Sequence, residues 1–172
     1  MALEDVLVSR KAAVLKGWFD LIAQTHPDGS ASLVKNKDRF ANPVRHITTS
    51  AIDILYEEIL QGRPDSEKAA ASLGDIIRVR AVQDFYPGQA IAFVFLLKKA
   101  IRAELEDEKL RKGFFEELSG IESLIDQLAS HAFDIYMDCR EKIYQVKLDE
   151  MKVTVDNVTR LWERQSRTGA DI

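Results

Sequence analysis

The sequence predicts an all-α fold: a bundle of about five to six helices around one buried central helix, followed by a long C-terminal helix. Two observations predict it. An unbroken apolar run over residues 90–97 follows Pro87, a good first residue of a helix, and continues as a stripe through Ile101 and Leu105. Residues 121–165 then contain no proline or glycine, and apolar residues recur there at helical spacing.

The first two helices are bounded by turn and capping residues. Apolar residues from Leu3 to Ile22 recur at helical spacing, which predicts one amphipathic helix of about six turns. Residues 26–30 end it, because they combine a proline and a glycine with polar neighbours. Asn42 and Pro43 predict the start of the second helix, since asparagine accepts from free backbone N–H groups and proline has a helical φ.

A third helix is expected from Asp65 or Ser66, either of which can cap it, to about Asp84. On a helical wheel, Arg80 and Asp84 fall within its apolar face. Two interpretations stay open. The two residues form a structural ion pair at the rim of the core, because buried charges need partners, or one of them faces a ligand cavity.

The central helix is apolar in nearly every direction over its first half. Ile91, Phe93, Phe95 and Leu96 lie outside its main stripe and are all large and apolar. A helix that is apolar all round is normally buried, so we expect neighbouring helices to cover this half on nearly all sides.

The end of the long helix carries a heptad pattern, with apolar residues spaced four, three, four, three and four apart. These residues are Tyr144, Leu148, Met151, Val155, Val158 and Trp162. We call them the apolar seam, and the spacing is typical of a coiled coil. We expect a helical bundle over residues 1–143 and, in the same domain, a helical extension over residues 144–172. An exposed apolar stripe generally marks an interaction surface, so a parallel or antiparallel homodimer is expected; the alternative is a helix that folds back near Asp156 and Asn157.

Composition excludes several classes of protein. A net charge of −4 argues against a general nucleic-acid binder, and the apolar run is much shorter than the ~20 residues of a membrane span. Glu4 and Asp5 occupy the position where a secretory signal needs basic residues, which favours a cytoplasmic location. Cys139 is the single cysteine, so neither an internal disulfide nor a thiolate-rich metal site is expected.

No catalytic motif is present. The sequence lacks the glycine-rich phosphate loops, the Gly-x-Ser-x-Gly turn and the paired histidine spacing of metalloproteases, so we expect no enzyme, no metal site and no cofactor. His26 is assigned to a turn. Arg80, Asp84, His46 and His131 are the candidates for a ligand cavity. A core-facing histidine in an all-α chain leaves open a globin-like haem protein, with His46 or His131 as the ligand.

Four stretches are distinctive in combination. They read FANPV at 40–44, DIIRVRAVQDF at 75–85, FVFLLKK at 93–99 and AFDIYMDCREKIY at 132–144. Together they resemble the N-terminal domain of RsbT co-antagonist proteins of the RsbRD type, over about residues 7–151. The resemblance implies an all-helical sensory domain, which in stressosome-type relatives precedes a STAS domain and helps to regulate the kinase RsbT. We expect a stand-alone form, because no STAS domain follows before Ile172, and the kinase-regulating output is then not implied.

The leading hypothesis combines the resemblance with the seam. We expect a non-enzymatic cytoplasmic signalling module that self-associates and transmits an input at the bundle through its C-terminal helix. Its input would be a small molecule or an unidentified regulatory protein. The alternatives are a haem-binding globin-like protein and a structural adaptor that docks a redox or membrane complex.

Overall fold

The computed structural model describes residues 2–26, 42–83, 85–105 and 113–168, with side chains described up to residue 166. Within these ranges the chain forms six helices and no strand: α1 (Leu3–Ser9), α2 (Lys11–Gln24), α3 (Pro43–Leu60), α4 (Glu67–Val82), α5 (Pro87–Glu104) and α6 (Phe115–Thr168). The predicted all-α fold with a long C-terminal helix is confirmed. None of the described helices combines the length and the apolar character needed to cross a bilayer.

The chain divides into two compact units between Tyr136 and Met137. We call residues 1–136 the bundle and residues 137–172 the C-terminal segment. Helix α6 contributes residues to both units. The division expected after residue 143 stays a prediction.

The predicted first helix is two helices, so the expectation of one continuous helix was wrong. Arg10 separates α1 from α2 with φ −101° and ψ 10°. Its Nη1 donates to the carbonyl oxygen of Glu104 at the end of α5. Apolar residues recur at helical spacing in both α1 and α2, so periodicity could not reveal the break between them. The break accompanies the hydrogen bond from Arg10 to Glu104, a residue far away in the sequence.

The predicted starts of α3 and α4 are confirmed. The side chain of Asn42 accepts from the backbone N–H of Arg45 at 3.0 Å, and Pro43 is the first residue of α3. Ser66, one of the two expected caps, accepts from the N–H of Ala69 at 3.0 Å. Both contacts satisfy backbone donors that the first turn of a helix leaves free.

Helix α5 packs mainly against α2 and also contacts α4. Its buried side chains include Phe93, Val94 and Leu97. The indole Nε1 of Trp18, a fully buried residue of α2, donates to the carbonyl oxygen of Phe93 at 2.6 Å. Phe95, however, is 42% exposed, so the expectation that neighbours cover this half on nearly all sides was wrong there. An unbroken apolar run has no polar residue to mark its outer face.

Helix α6 packs on the bundle through side chains that include Leu118, Ile125 and Leu128, all buried. Ion pairs accompany this packing. Arg102 of α5 makes two hydrogen bonds to the carboxylate of Glu122, at 2.6 and 2.8 Å, and Lys98 donates to Asp126 at 2.6 Å. Partly exposed pairs of this kind contribute about 0–1 kcal/mol each, so their main effect is to fix the position of α6 along α5.

Candidate functional site

Arg80 lies in the last turn of α4 and is buried, with 8% of its surface exposed. Its Nη1 donates to the carbonyl oxygens of Gln89 at 3.1 Å and of Ala90 at 3.2 Å, both in the first turn of α5. Its guanidinium carbon lies 5.2 Å from the ring centroid of Phe85 and 4.8 Å from that of Phe93. Arg80 therefore connects the end of α4 to the start of α5.

The charge of Arg80 is retained despite its burial. Removal from water lowers the pKa of Arg80 to about 10, so the side chain is a cation at neutral pH. Two carbonyl oxygens and two aromatic faces replace the lost water. The expected partner, Asp84, lies outside the described residues, and the ion pair stays a prediction.

A small cavity of about 10 Å³ lies beside Arg80. Such a volume holds about one water molecule, whereas sites for cofactors and drug-sized ligands measure roughly 300–1,000 Å³. The lining consists of His26, Val44, Ile47, Thr48, Ile76, Val79, Arg80 and Gln83. In this conformation the cavity fits a water or a ligand of similar size, and it does not fit haem.

His26 was assigned to a turn, but the structure buries it beside Arg80. It is 7% exposed, and its ring packs edge-on against Phe85, with the centroids 5.2 Å apart and an angle of 72° between the rings. His26 lies two residues beyond the end of α2 and continues the four-residue spacing of the buried side chains Val14, Trp18 and Ile22. The spacing could therefore have indicated that His26 faces the core, but it could not have identified Phe85 as the partner.

Phe85 connects Arg80 and His26 to α6. The hydroxyl of Tyr136, the last residue of the bundle, donates to the carbonyl oxygen of Phe85 at 2.5 Å. Tyr136 is 2% exposed and Phe85 is 6% exposed, so this hydrogen bond is shielded from water. We call His26, Arg80, Phe85 and Tyr136 the Phe85 junction. Sequence reasoning had identified only Arg80 among them.

The two predicted haem ligands do not share the cavity beside Arg80. His46 is exposed on α3, where it lines an open groove between α2 and α3. His131 is partly buried on α6. Of the described ligand-cavity candidates, the structure places Arg80 alone at this cavity, and a ligand role for any of them stays a prediction. The described residues also contain no cluster of three or more His, Cys, Asp or Glu side chains that could hold a metal ion.

The apolar seam lies on the C-terminal segment. Its six residues, named above, are all exposed, with 51% to 74% of each side chain accessible to water. None of the side chains described within residues 137–166 is buried. The first residue of the seam also makes a polar contact. The guanidinium of Arg140 lies 4.9 Å from the ring centroid of Tyr144 and donates to its hydroxyl at 2.8 Å.

The described residues form an all-helical domain, with a buried cationic junction in its bundle and an exposed apolar stripe on its last helix. Residues 12–151 match the family described as RsbT co-antagonist protein rsbRD N-terminal domain. The chain belongs to this family, and the resemblance found in its sequence is confirmed. The family is one of stressosome-like signalling or sensory domains and is not a known enzyme family. No curated protein and no solved structure matches the chain.

Proposed function

We propose that this chain is a cytoplasmic, non-enzymatic signalling module that self-associates through the apolar seam and relays an input from its bundle through α6. The exposed seam is the observation that carries the proposal. Family membership supplies the general role in signalling, and the seam suggests how the output is made.

Two physical arguments support self-association. An isolated helix gains little stability in water without tertiary packing, and no described side chain of residues 137–166 is buried. A contiguous apolar stripe on such a helix generally marks a surface that a partner covers. A second copy fits the stripe because two heptad patterns pack knobs into holes.

The Phe85 junction supports the relay. The cavity beside Arg80 and His26 is connected through Phe85 to Tyr136, and Tyr136 belongs to the same helix as the seam. A ligand or protein that changes this junction would change how α6 is held at the end of the bundle. To act as a signal, it must bind the two arrangements with different affinity.

Sedimentation equilibrium of a double variant, Leu148→Glu with Val155→Glu, tests the self-association. Both residues are more than half exposed in one copy, so covering the exposed part of each gives about 1 kcal/mol. Four such side chains in a dimer contribute about 4 kcal/mol, which corresponds to about a thousandfold change in Kd. Desolvation of the introduced carboxylates adds to the loss. We expect the wild type to dimerise and the variant to stay monomeric at the same concentration.

The matched control is Val146→Glu with Val153→Glu. These valines are as exposed as the seam residues, at 58% and 60%, and are likewise seven positions apart, but they lie on the opposite side of the helix. The control introduces the same charge with the same spacing and should dimerise like the wild type. A wild type that is monomeric throughout, or a control that dissociates as readily as the seam variant, contradicts the proposal.

A further inference from the structure

The apolar seam is symmetric about Val153. Tyr144 and Trp162 each lie nine residues from this position, Leu148 and Val158 lie five from it, and Met151 and Val155 lie two from it. Consider an antiparallel pair whose two-fold axis crosses the two helices at the height of Val153, a residue that itself lies on the opposite side of the helix from the seam. Every seam residue then faces a seam residue of the other copy. This inference rests on the proposed self-association and specifies its geometry.

We infer that two copies of the chain pair antiparallel through the seam, about an axis at Val153. Across this interface Tyr144 faces the partner's Trp162, Leu148 faces the partner's Val158, and Met151 faces the partner's Val155. The four inner contacts each join a larger side chain to a smaller one, and this alternation fills a core evenly. A parallel pair instead places each residue against its own copy, so the leucine and methionine layers lie next to each other and are followed by two valine layers.

The heptad positions also disfavour a parallel dimer. Leu148, Val155 and Trp162 take the a positions, and Tyr144, Met151 and Val158 take the d positions. Parallel two-stranded coiled coils favour β-branched residues at a and leucine at d. Here leucine occupies an a position and valine a d position.

Charged residues beside the seam favour the same orientation. In a parallel pair, Glu141 at the preceding a position faces the other Glu141, and Lys147 faces Lys152 of the other copy on both sides. In the antiparallel pair, Glu141 lies opposite Gln165 and Lys147 lies beside Leu161. The contact between the two copies of Lys152 is then the one like-charge contact that remains among these residues.

Pulsed electron paramagnetic resonance with spin labels distinguishes the two orientations. Cys139→Ser removes the native thiol, and single labels are attached at Lys142→Cys or at Asp156→Cys. Both positions are exposed and equivalent in the heptad. The antiparallel pair separates the two copies of position 142 by about 33 Å along the helix axes, and those of position 156 by about 9 Å, at a rise of about 1.5 Å per residue.

The expected result is a long distance at position 142 and a short one at position 156. Short and similar distances at both positions would overturn the antiparallel orientation while leaving self-association intact. If neither label shows a dipolar interaction at concentrations well above those used for sedimentation, self-association itself fails, and the orientation fails with it. Circular dichroism and sedimentation of the labelled proteins confirm that the labels leave the fold and the mass unchanged.

Discussion

Removal of one hydroxyl group, by Tyr136→Phe, tests the link between the Phe85 junction and α6. The hydroxyl donates to the carbonyl oxygen of Phe85 at 2.5 Å in a site where both residues are buried. Loss of a buried donor costs about 1–3 kcal/mol, because the carbonyl loses this partner where water is excluded. For a chain of this size each kcal/mol lowers Tm by about 2–4 °C. We expect a lower free energy of unfolding in urea, measured by circular dichroism, and a lower Tm.

Tyr86→Phe is the matched control, because it removes the same group from a side chain that is 76% exposed. We expect this control to stay within about 0.5 kcal/mol of the wild type. Equal stability of the two variants would refute the structural role of the Phe85 junction.

The proposed relay predicts a second effect of Tyr136→Phe. If Tyr136 couples the bundle to the seam, amide hydrogen exchange over residues 137–166 should speed up in Tyr136→Phe and not in Tyr86→Phe. If Tyr136→Phe lowers the stability of the bundle but leaves hydrogen exchange in the C-terminal segment unchanged, the structural role of the Phe85 junction stands and the relay is rejected.

Three further predictions concern ionisation, capping and cofactor binding. Burial, assisted by the charge of Glu104, raises the pKa of Tyr56, so its folded state holds a proton that the unfolded state releases above about pH 10. Stability should therefore fall as the pH rises above about 10, and Tyr56→Phe should reduce this slope in alkaline urea titrations. Ser66→Ala should cost about 1 kcal/mol in urea unfolding, whereas Ser119→Ala, at an exposed position, should cost less than half of that. Protein expressed with haem supplied should show no Soret band, since His46 and His131 do not share the cavity beside Arg80, and a stoichiometric Soret band would contradict this assignment.

Local signals in the sequence predicted the starts of α3 and α4. Asn42, Pro43 and Ser66 act on backbone groups within three residues of themselves, so the caps follow from the sequence without knowledge of the tertiary structure. The long α6 was predicted for a similar reason, because helical periodicity without proline or glycine depends on neighbouring positions alone.

Features that depend on distant contacts could not be predicted in this way. The break at Arg10 accompanies a hydrogen bond to Glu104, and the contact between the rings of His26 and Phe85 joins residues that are far apart in the sequence. The exposure of Phe95 reflects the arrangement of neighbouring helices. The candidate site was therefore identified in part: Arg80 and the apolar seam are periodic features of single helices, whereas the Phe85 junction joins residues from two helices and two connections.

The most direct test of the account is whether Trp162 becomes shielded when the protein associates. Trp18 is fully buried and Trp162 is 74% exposed in one copy, so acrylamide quenching of the accessible tryptophan fluorescence reports on Trp162. The account predicts strong quenching at low protein concentration and weaker quenching as the sedimentation mass doubles, with strong quenching throughout for Leu148→Glu with Val155→Glu. Quenching of the wild type that stays equally strong while its mass doubles would show that the copies meet elsewhere, and it would contradict the account.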